Sequence, residues 1–339
     1  MEPLKENISS HKLFIFSGFS ELGAMKSFIS IPFFILFMVS LFANSLLIYV
    51  VISQRSLHSP MYILIACMAS VDMSLPLLLI PNLLLNVLFN LRGISLSACL
   101  LQMFFVHFVG TCQSTLLFWM ALDRYFAICR PLSYHDHMSL PGFLKFVIPV
   151  LIRNLVMILM VVVLAGTLSF CLHDVINHCI CEHMALVELA CGSTAINSLV
   201  GLMTVFLVTV FDFLCISTSY VVIFCSVLRS GKANAKALHT CITHIIVMAV
   251  SLTLVLTAFL SYRIRNSLPA AGRLFVSIMY LFLPGCFNPI IYGIRTTEIR
   301  QHISRTLLSC LPVRTVDFSM RVSPHSLCRD AILIFIKPL

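Results

Sequence analysis

Seven long apolar runs with few interrupting charges limit what this chain can fold into. They fall at about 28–52, 60–81, 98–122, 146–169, 197–228, 240–262 and 271–293. Each is near the roughly 20 residues that carry a helix across a bilayer. Each is also far longer than the roughly ten-residue alternating strands of a membrane barrel. Charged residues make up only 10% of the 339 positions and hydrophobic residues 60%, whereas a soluble domain carries about 25% charged residues. The chain has too little charge to coat a water-facing surface. The expected fold is an all-α membrane protein, a seven-transmembrane helix bundle.

The segments between the runs leave no room for a second folded domain. The expected organisation is an extracellular segment at 1–27, a membrane domain at 28–295, and a cytoplasmic tail at 296–339 whose part 311–339 is disordered. Scattered acids and bases from Glu2 to Lys26 do not resemble a cleavable signal, so the first helix is expected to act as the insertion signal. With the amino terminus outside and the carboxy terminus in the cytoplasm, nine near-membrane bases lie inside against seven outside, the direction of the positive-inside rule. Asn7-Ile8-Ser9 is then a glycosylation sequon on the correct side.

The third run ends in Asp123-Arg124-Tyr125, an acid beside a base where an apolar helix meets water. One charge would suffice to end the helix, so the pair points to contacts that are made and broken. Tyr220, near the inner end of the fifth run, could meet Arg124 when the inner face rearranges. The second run carries Asp72 deep in hydrocarbon, where an ionised acid needs a partner or a polar cavity. Two readings are open: a neutral acid satisfied by Ser70 or Ser74, or a polar cluster with Asn44 and Asn288. In the seventh run Pro284 and Pro289 each break a backbone bond, and Asn288 is expected to satisfy a freed group.

His107, Gly110, Thr111 and Ser114 follow helical spacing on one face. The small residues fit close helix packing, while His107 suits either a structural hydrogen bond or a ligand. Arg153 is expected to snorkel toward the inner headgroups. Arg263 could pair with an anionic ligand, with headgroups, or with Asp174, Glu182 and Glu188 in the loop above it.

That loop, 169–196, shows no obvious secondary structure and needs fastening. Cys171, Cys179, Cys181 and Cys191 lie in it, and Cys99 tops the third run. Five thiols in an oxidising compartment can form two bridges and leave one over, and the spacing alone does not choose the pairs. Cys179, Cys181 and His183, with Cys191 or His178, also fit a loose zinc pattern, but bridges compete for the same sulfurs. No metal and no cofactor are expected.

The function classes narrow by elimination. Related halves or paired broken helices would suggest a transporter, and a ring of selective groups a channel. Neither pattern is present. No His-Glu-x-x-His, GxSxG or paired intramembrane aspartates suggest an enzyme, and 271–293 has no lysine for a retinal link. A bundle with an outward pocket and a basic inner surface suits signalling by shape.

Five stretches, read together, carry a resemblance over about residues 10–308: LHSPMY at 57–62, MALDRYFAICRPLSY at 120–134, SY at 219–220, KALHTCITH at 236–244 and NPIIYGIRT at 288–296. The chain resembles the olfactory (odorant) receptors among the rhodopsin-like G-protein-coupled receptors. CEHM at 181–184, ACLLQMFFVHF at 98–108 and RTTEIR at 295–300 resemble its fish-like, class I branch. Leu122 stands where the family usually has tyrosine or phenylalanine.

The resemblance implies binding of a small polar or acidic odorant, with a stimulatory olfactory-type heterotrimeric G protein as partner and cyclic AMP as output. The implied place is the plasma membrane of sensory cilia, among lipids and without nucleic acid. Related receptors in other tissues make a non-olfactory receptor for small metabolites the alternative. Asp123, Arg124 and Tyr125 match the coupling element; Asp72, Tyr220, Asn288, Pro289 and Tyr292 match the switch. His107, Gly110, Thr111, Phe259 and Arg263 are the ligand candidates. The implied bridges are Cys99–Cys181 and Cys171–Cys191, leaving Cys179 as the extra thiol, and Asn7 falls where the family is glycosylated.

Overall fold

The computed structural model describes residues 12–18, 26–89, 91–171, 173–230, 235–263 and 270–309. Asn7 and the tail 311–339 lie outside them. In order come β1 (Leu13–Phe16), α1 (Lys26–Ser53), α2 (Pro60–Phe89), β2 (Gly93–Ser95), α3 (Leu96–Cys129), α4 (Tyr134–Met138), α5 (Leu140–Gly166), β3 (Val175–Ile176), α6 (His183–Val187), α7 (Ala195–Thr204), α8 (Phe211–Ser230), α9 (Ala235–Arg263), α10 (Ala270–Arg295) and α11 (Thr297–Ser309). A π-helical segment, Val205–Val210, joins α7 to α8, so the two make one crossing.

Among the described residues six helical spans are long and apolar enough to cross a bilayer, and α9 adds the apolar stretch Ile245–Ser261. Together they form the seven-helix bundle. The helix α3 lies at its centre, packed against α2, α5, α8 and α9, while α10 packs against α1, α2 and α9. Phe42, Ile52, Ile152, Phe206, Leu228 and Phe275 are each more than half exposed. A belt of that kind is stable only when lipid covers it.

Local sequence sets the helix limits. Pro60 opens α2, where a missing amide hydrogen costs nothing. At the start of α3 the Ser95 hydroxyl accepts from the Ala98 amide at 3.3 Å, a conventional N-cap. Pro131 stands just past the α3 terminus at Cys129.

The two ends of the bundle differ in construction. One is closed by a three-stranded sheet in which β1 runs antiparallel to β2 and parallel to β3. The polar lead expected at 1–27 thus contains a strand. Its alternation buries Phe14 and Phe16 and exposes Leu13 and Ile15, and the Phe14 ring meets Phe170 edge-on at 5.2 Å. The 169–196 loop, expected to lack secondary structure, contributes β3 and the turn of helix α6. Disulfides join Cys99 to Cys181 and Cys171 to Cys191, with Cα–Cα distances of 5.3 and 5.8 Å. Cys179 is a free, buried thiol. At the other end Leu57, Met61, Met120, Tyr220 and Tyr292 form a separate apolar core.

Candidate functional site

Between α3, α8, α9 and α10 lies a cavity of about 170 Å³, room for a small molecule rather than a single water. Its roof is Glu182 from the loop, its walls include His107, Gly110, Thr209, Val255 and Phe259, and its floor reaches Gln113, Ser114 and Asn288. The lining is largely apolar with few polar groups, the usual character of a small-molecule site.

The cavity sorts the residues that share the α3 face. His107, Gly110 and Ser114 line it. A Cβ on Gly110 would meet nothing within 4 Å, so this glycine keeps space open instead of allowing close packing. Thr111 does not line the cavity. It lies at the edge of the stripe, its hydroxyl donates to the Phe108 carbonyl at 2.8 Å, and its own carbonyl faces Asn154 of α5. His107 Nε2 is buried with no hydrogen-bond partner.

Arg263 also stands outside the lining, one turn beyond Phe259. Its guanidinium lies over the Phe259 ring at 4.5 Å and donates to the hydroxyl and carbonyl oxygens of Ser198 at 2.8 and 2.7 Å. A hydroxyl and a carbonyl, not loop carboxylates, therefore hold it. His183 packs beside it against Gly201. Burial holds the His183 imidazole neutral, its pKa pushed down to about 3. Glu182 caps α6, accepting from the Ala185 amide at 2.9 Å, and burial raises its carboxyl to about 7.

At the floor, Asp72 is held by two amides. Gln113 Nε2 donates to Oδ1 at 2.7 Å and Asn288 Nδ2 to Oδ2 at 2.9 Å. Ser70 and Ser74 bond their own helix instead, so of the two readings the cluster with Asn288 holds. Asn44 makes no hydrogen bond to the acid. It donates to the Gly285 carbonyl at 2.8 Å, and Ser40 does so at 3.1 Å. Asn44, rather than the expected Asn288, satisfies the group that Pro289 frees.

Ser114 donates to Asp212 of α8 at 3.2 Å. Asp212 in turn receives Arg153 Nη2 on both oxygens, at 2.9 and 3.1 Å. Arg153 falls in the middle of the Pro141–Gly166 span, about 18 Å from its near end at about 1.5 Å per residue. In place of the expected snorkelling, Arg153 forms an ion pair across α5 and α8.

At the opposite end of α3, Asp123 is buried while the Arg124 side chain is 27% exposed. Arg124 Nε lies 3.4 Å from Asp123 Oδ2. The Tyr134 hydroxyl of α4 donates to Oδ1 at 2.8 Å. Tyr125 is half-buried and stacks edge-on with Phe126. Tyr220 and Tyr292 are buried in the surrounding core, and Tyr220 lies within electrostatic range of Arg124.

Gln113, Asp212, Tyr134 and the roof role of Glu182 are additions to the sequence-derived set. Gln113 lies next to Ser114 in an uncharged run and carries no pattern of its own. Asp212 and Arg153 were both visible as charges in hydrocarbon, and pairing them was the available signal. The zinc pattern is taken apart by the bridges, which occupy Cys181 and Cys191. Among the described residues no group of three or more His, Cys, Asp or Glu is arranged to hold a metal ion.

A family model described as olfactory receptor matches residues 33–310. Human olfactory receptor 52N2 is 35% identical over 298 residues, covering 87% of this chain and 93% of its own length. Human olfactory receptor 51F2 is 35% identical over 310 residues, 91% of each chain. Human olfactory receptor 52A5 is 36% identical over 296 residues, 86% of this chain and 93% of its own.

Proposed function

The chain belongs to the olfactory receptor family, in its class I branch, and on that premise we propose that it is an odorant receptor coupled to a stimulatory heterotrimeric G protein. A chemosensory G-protein-coupled receptor of this kind is a multi-pass membrane protein and not an enzyme. The ligand is a small, largely apolar molecule with one polar group, held in the cavity beside His107, Gly110 and Phe259. An acidic group would need Arg263 to turn from Ser198 toward the cavity mouth.

The sheet-capped end faces outside, with Asn7 glycosylated, 28–295 as the receptor domain and 296–339 in the cytoplasm. The receptor acts at the plasma membrane of olfactory sensory cilia. Asp123, Arg124 and Tyr125 engage the G protein, while Asp72, Asn288, Pro289, Tyr292 and Tyr220 form the switch between the cavity and that end.

One observation carries this reading: Asn288 lines the cavity floor and also holds Asp72 at 2.9 Å, one residue before Pro289. A ligand that prefers one packing of α10 against α2 shifts the population of states and thereby the exposure of Arg124. The test is a cyclic AMP reporter screen of the full-length receptor across a broad odorant panel. Concentration-dependent cyclic AMP supports the reading. A receptor at the cell surface that stays silent toward the whole panel counts against it.

A further inference from the structure

Ser114 is a cavity-floor residue whose hydrogen-bonding direction is fixed by its neighbours. A serine hydroxyl has a single O–H donor and two acceptor lone pairs. That donor is committed to Asp212 Oδ2 at 3.2 Å. Asp212 cannot reverse the bond, because Arg153 holds it as a carboxylate from both oxygens at 2.9 and 3.1 Å. The side chain of Asp212 is 3% exposed, so water does not compete. Toward the cavity Ser114 therefore offers only lone pairs.

Gln113 and Asn288 each commit an amide N–H to Asp72. The Asp72 carboxyl stands immediately behind the floor with amides rather than a cation as its partners.

We infer that the floor of the cavity is a donor-selective subsite, built by the Arg153–Asp212–Ser114 chain, that takes the hydroxyl of an alcohol in preference to an ether or a carboxylate. The inference rests on the reading that this cavity is the ligand site. A carboxylate would bring its charge toward Ser114 lone pairs and Asp72, and an ether would leave the Ser114 oxygen buried without a donor. Arg153 and Asp212 are positioning residues here; Ser114 is the one in contact with ligand.

The experiment compares straight-chain alcohols, their methyl ethers and the matching carboxylates of equal length. Two readouts are taken on the full chain: cyclic AMP in cells with surface receptor quantified, and the ligand-induced shift in melting temperature of the detergent-solubilised receptor. The expected result is an alcohol preference of roughly tenfold over the ether, the worth of about one hydrogen bond. In Ser114→Ala that ratio collapses toward unity, while Ser114→Thr, which keeps a hydroxyl, retains it.

An unchanged alcohol-to-ether ratio in a surface-delivered Ser114→Ala variant overturns the inference. So does a carboxylate preference in the unmodified receptor, or the absence of any melting shift with alcohols. Melting shifts that follow the predicted order without cyclic AMP leave the subsite standing and sink the coupling reading instead.

Discussion

Asn44 of α1 donates from Nδ2 to the Gly285 carbonyl of α10 at 2.8 Å. That carbonyl is the one Pro289, four residues on, cannot bond because it has no amide hydrogen. A side chain from another helix therefore completes the backbone of α10 at its proline break. Gly285 allows the approach, since a Cβ there would come within 2.8 Å of the Asp72 carbonyl oxygen.

Asn44→Ala is expected to destabilise the solubilised receptor by about 1 kcal/mol, the scale of an interhelical hydrogen bond in a membrane. Ser40 remains as the second donor and limits the loss. Gly285→Ala is expected to be worse, because the backbone of α2 cannot yield as a side chain can. Melting temperature and surface delivery measure both, and equal, unaffected variants would refute the account.

Arg124→Ala is expected to abolish cyclic AMP signalling while surface delivery stays largely intact. Tyr134→Phe removes the hydroxyl that holds Asp123 at 2.8 Å and is expected to raise basal cyclic AMP. A Tyr134→Phe receptor with unchanged basal activity would mean that this bond does not restrain the resting state.

Arg153→Met strands the Asp212 carboxylate in hydrocarbon, and breaking a buried pair costs roughly 3–5 kcal/mol. Surface delivery should fall steeply. The double variant Arg153→Met with Asp212→Leu removes both charges and should recover much of it. Recovery no better than the single variant would show that the pair is not the source of the loss.

Glu182 supplies a pH dependence. Burial raises its pKa from the ordinary 4.5 to about 7, so the folded loop favours the neutral acid. The stability this gives is full below about 4.5 and is lost as pH rises through about 7, because the unfolded chain has by then already released the proton. Glu182→Gln should match the unmodified receptor on the acid side and melt higher on the alkaline side. Melting curves on both sides of neutrality decide it; parallel pH profiles would remove Glu182 as the cause.

The fold was legible because hydrophobic run length depends on composition alone. The ends of α2 and α3 were marked by Pro60 and Pro131, and the bilayer left helices as the economical way to satisfy the backbone. The proposed coupling element stood out for a similar reason, since Asp123 beside Arg124 departs from its uncharged surroundings. The strand at Leu13–Phe16 was missed because four residues of alternation are too short a signal without the β2 and β3 edges that complete them.

By itself, then, the sequence determined the bundle, its family and the residue types placed in hydrocarbon. Only the tertiary structure decided partners: Arg153 with Asp212 rather than headgroups, Asn44 with Gly285 rather than Asp72, Arg263 with Ser198 rather than loop acids. The reason is geometric. Membrane helices show their burden of polar groups in one dimension, but hydrogen bonds form over about 3 Å, and that distance is set only when helices distant in sequence are packed side by side.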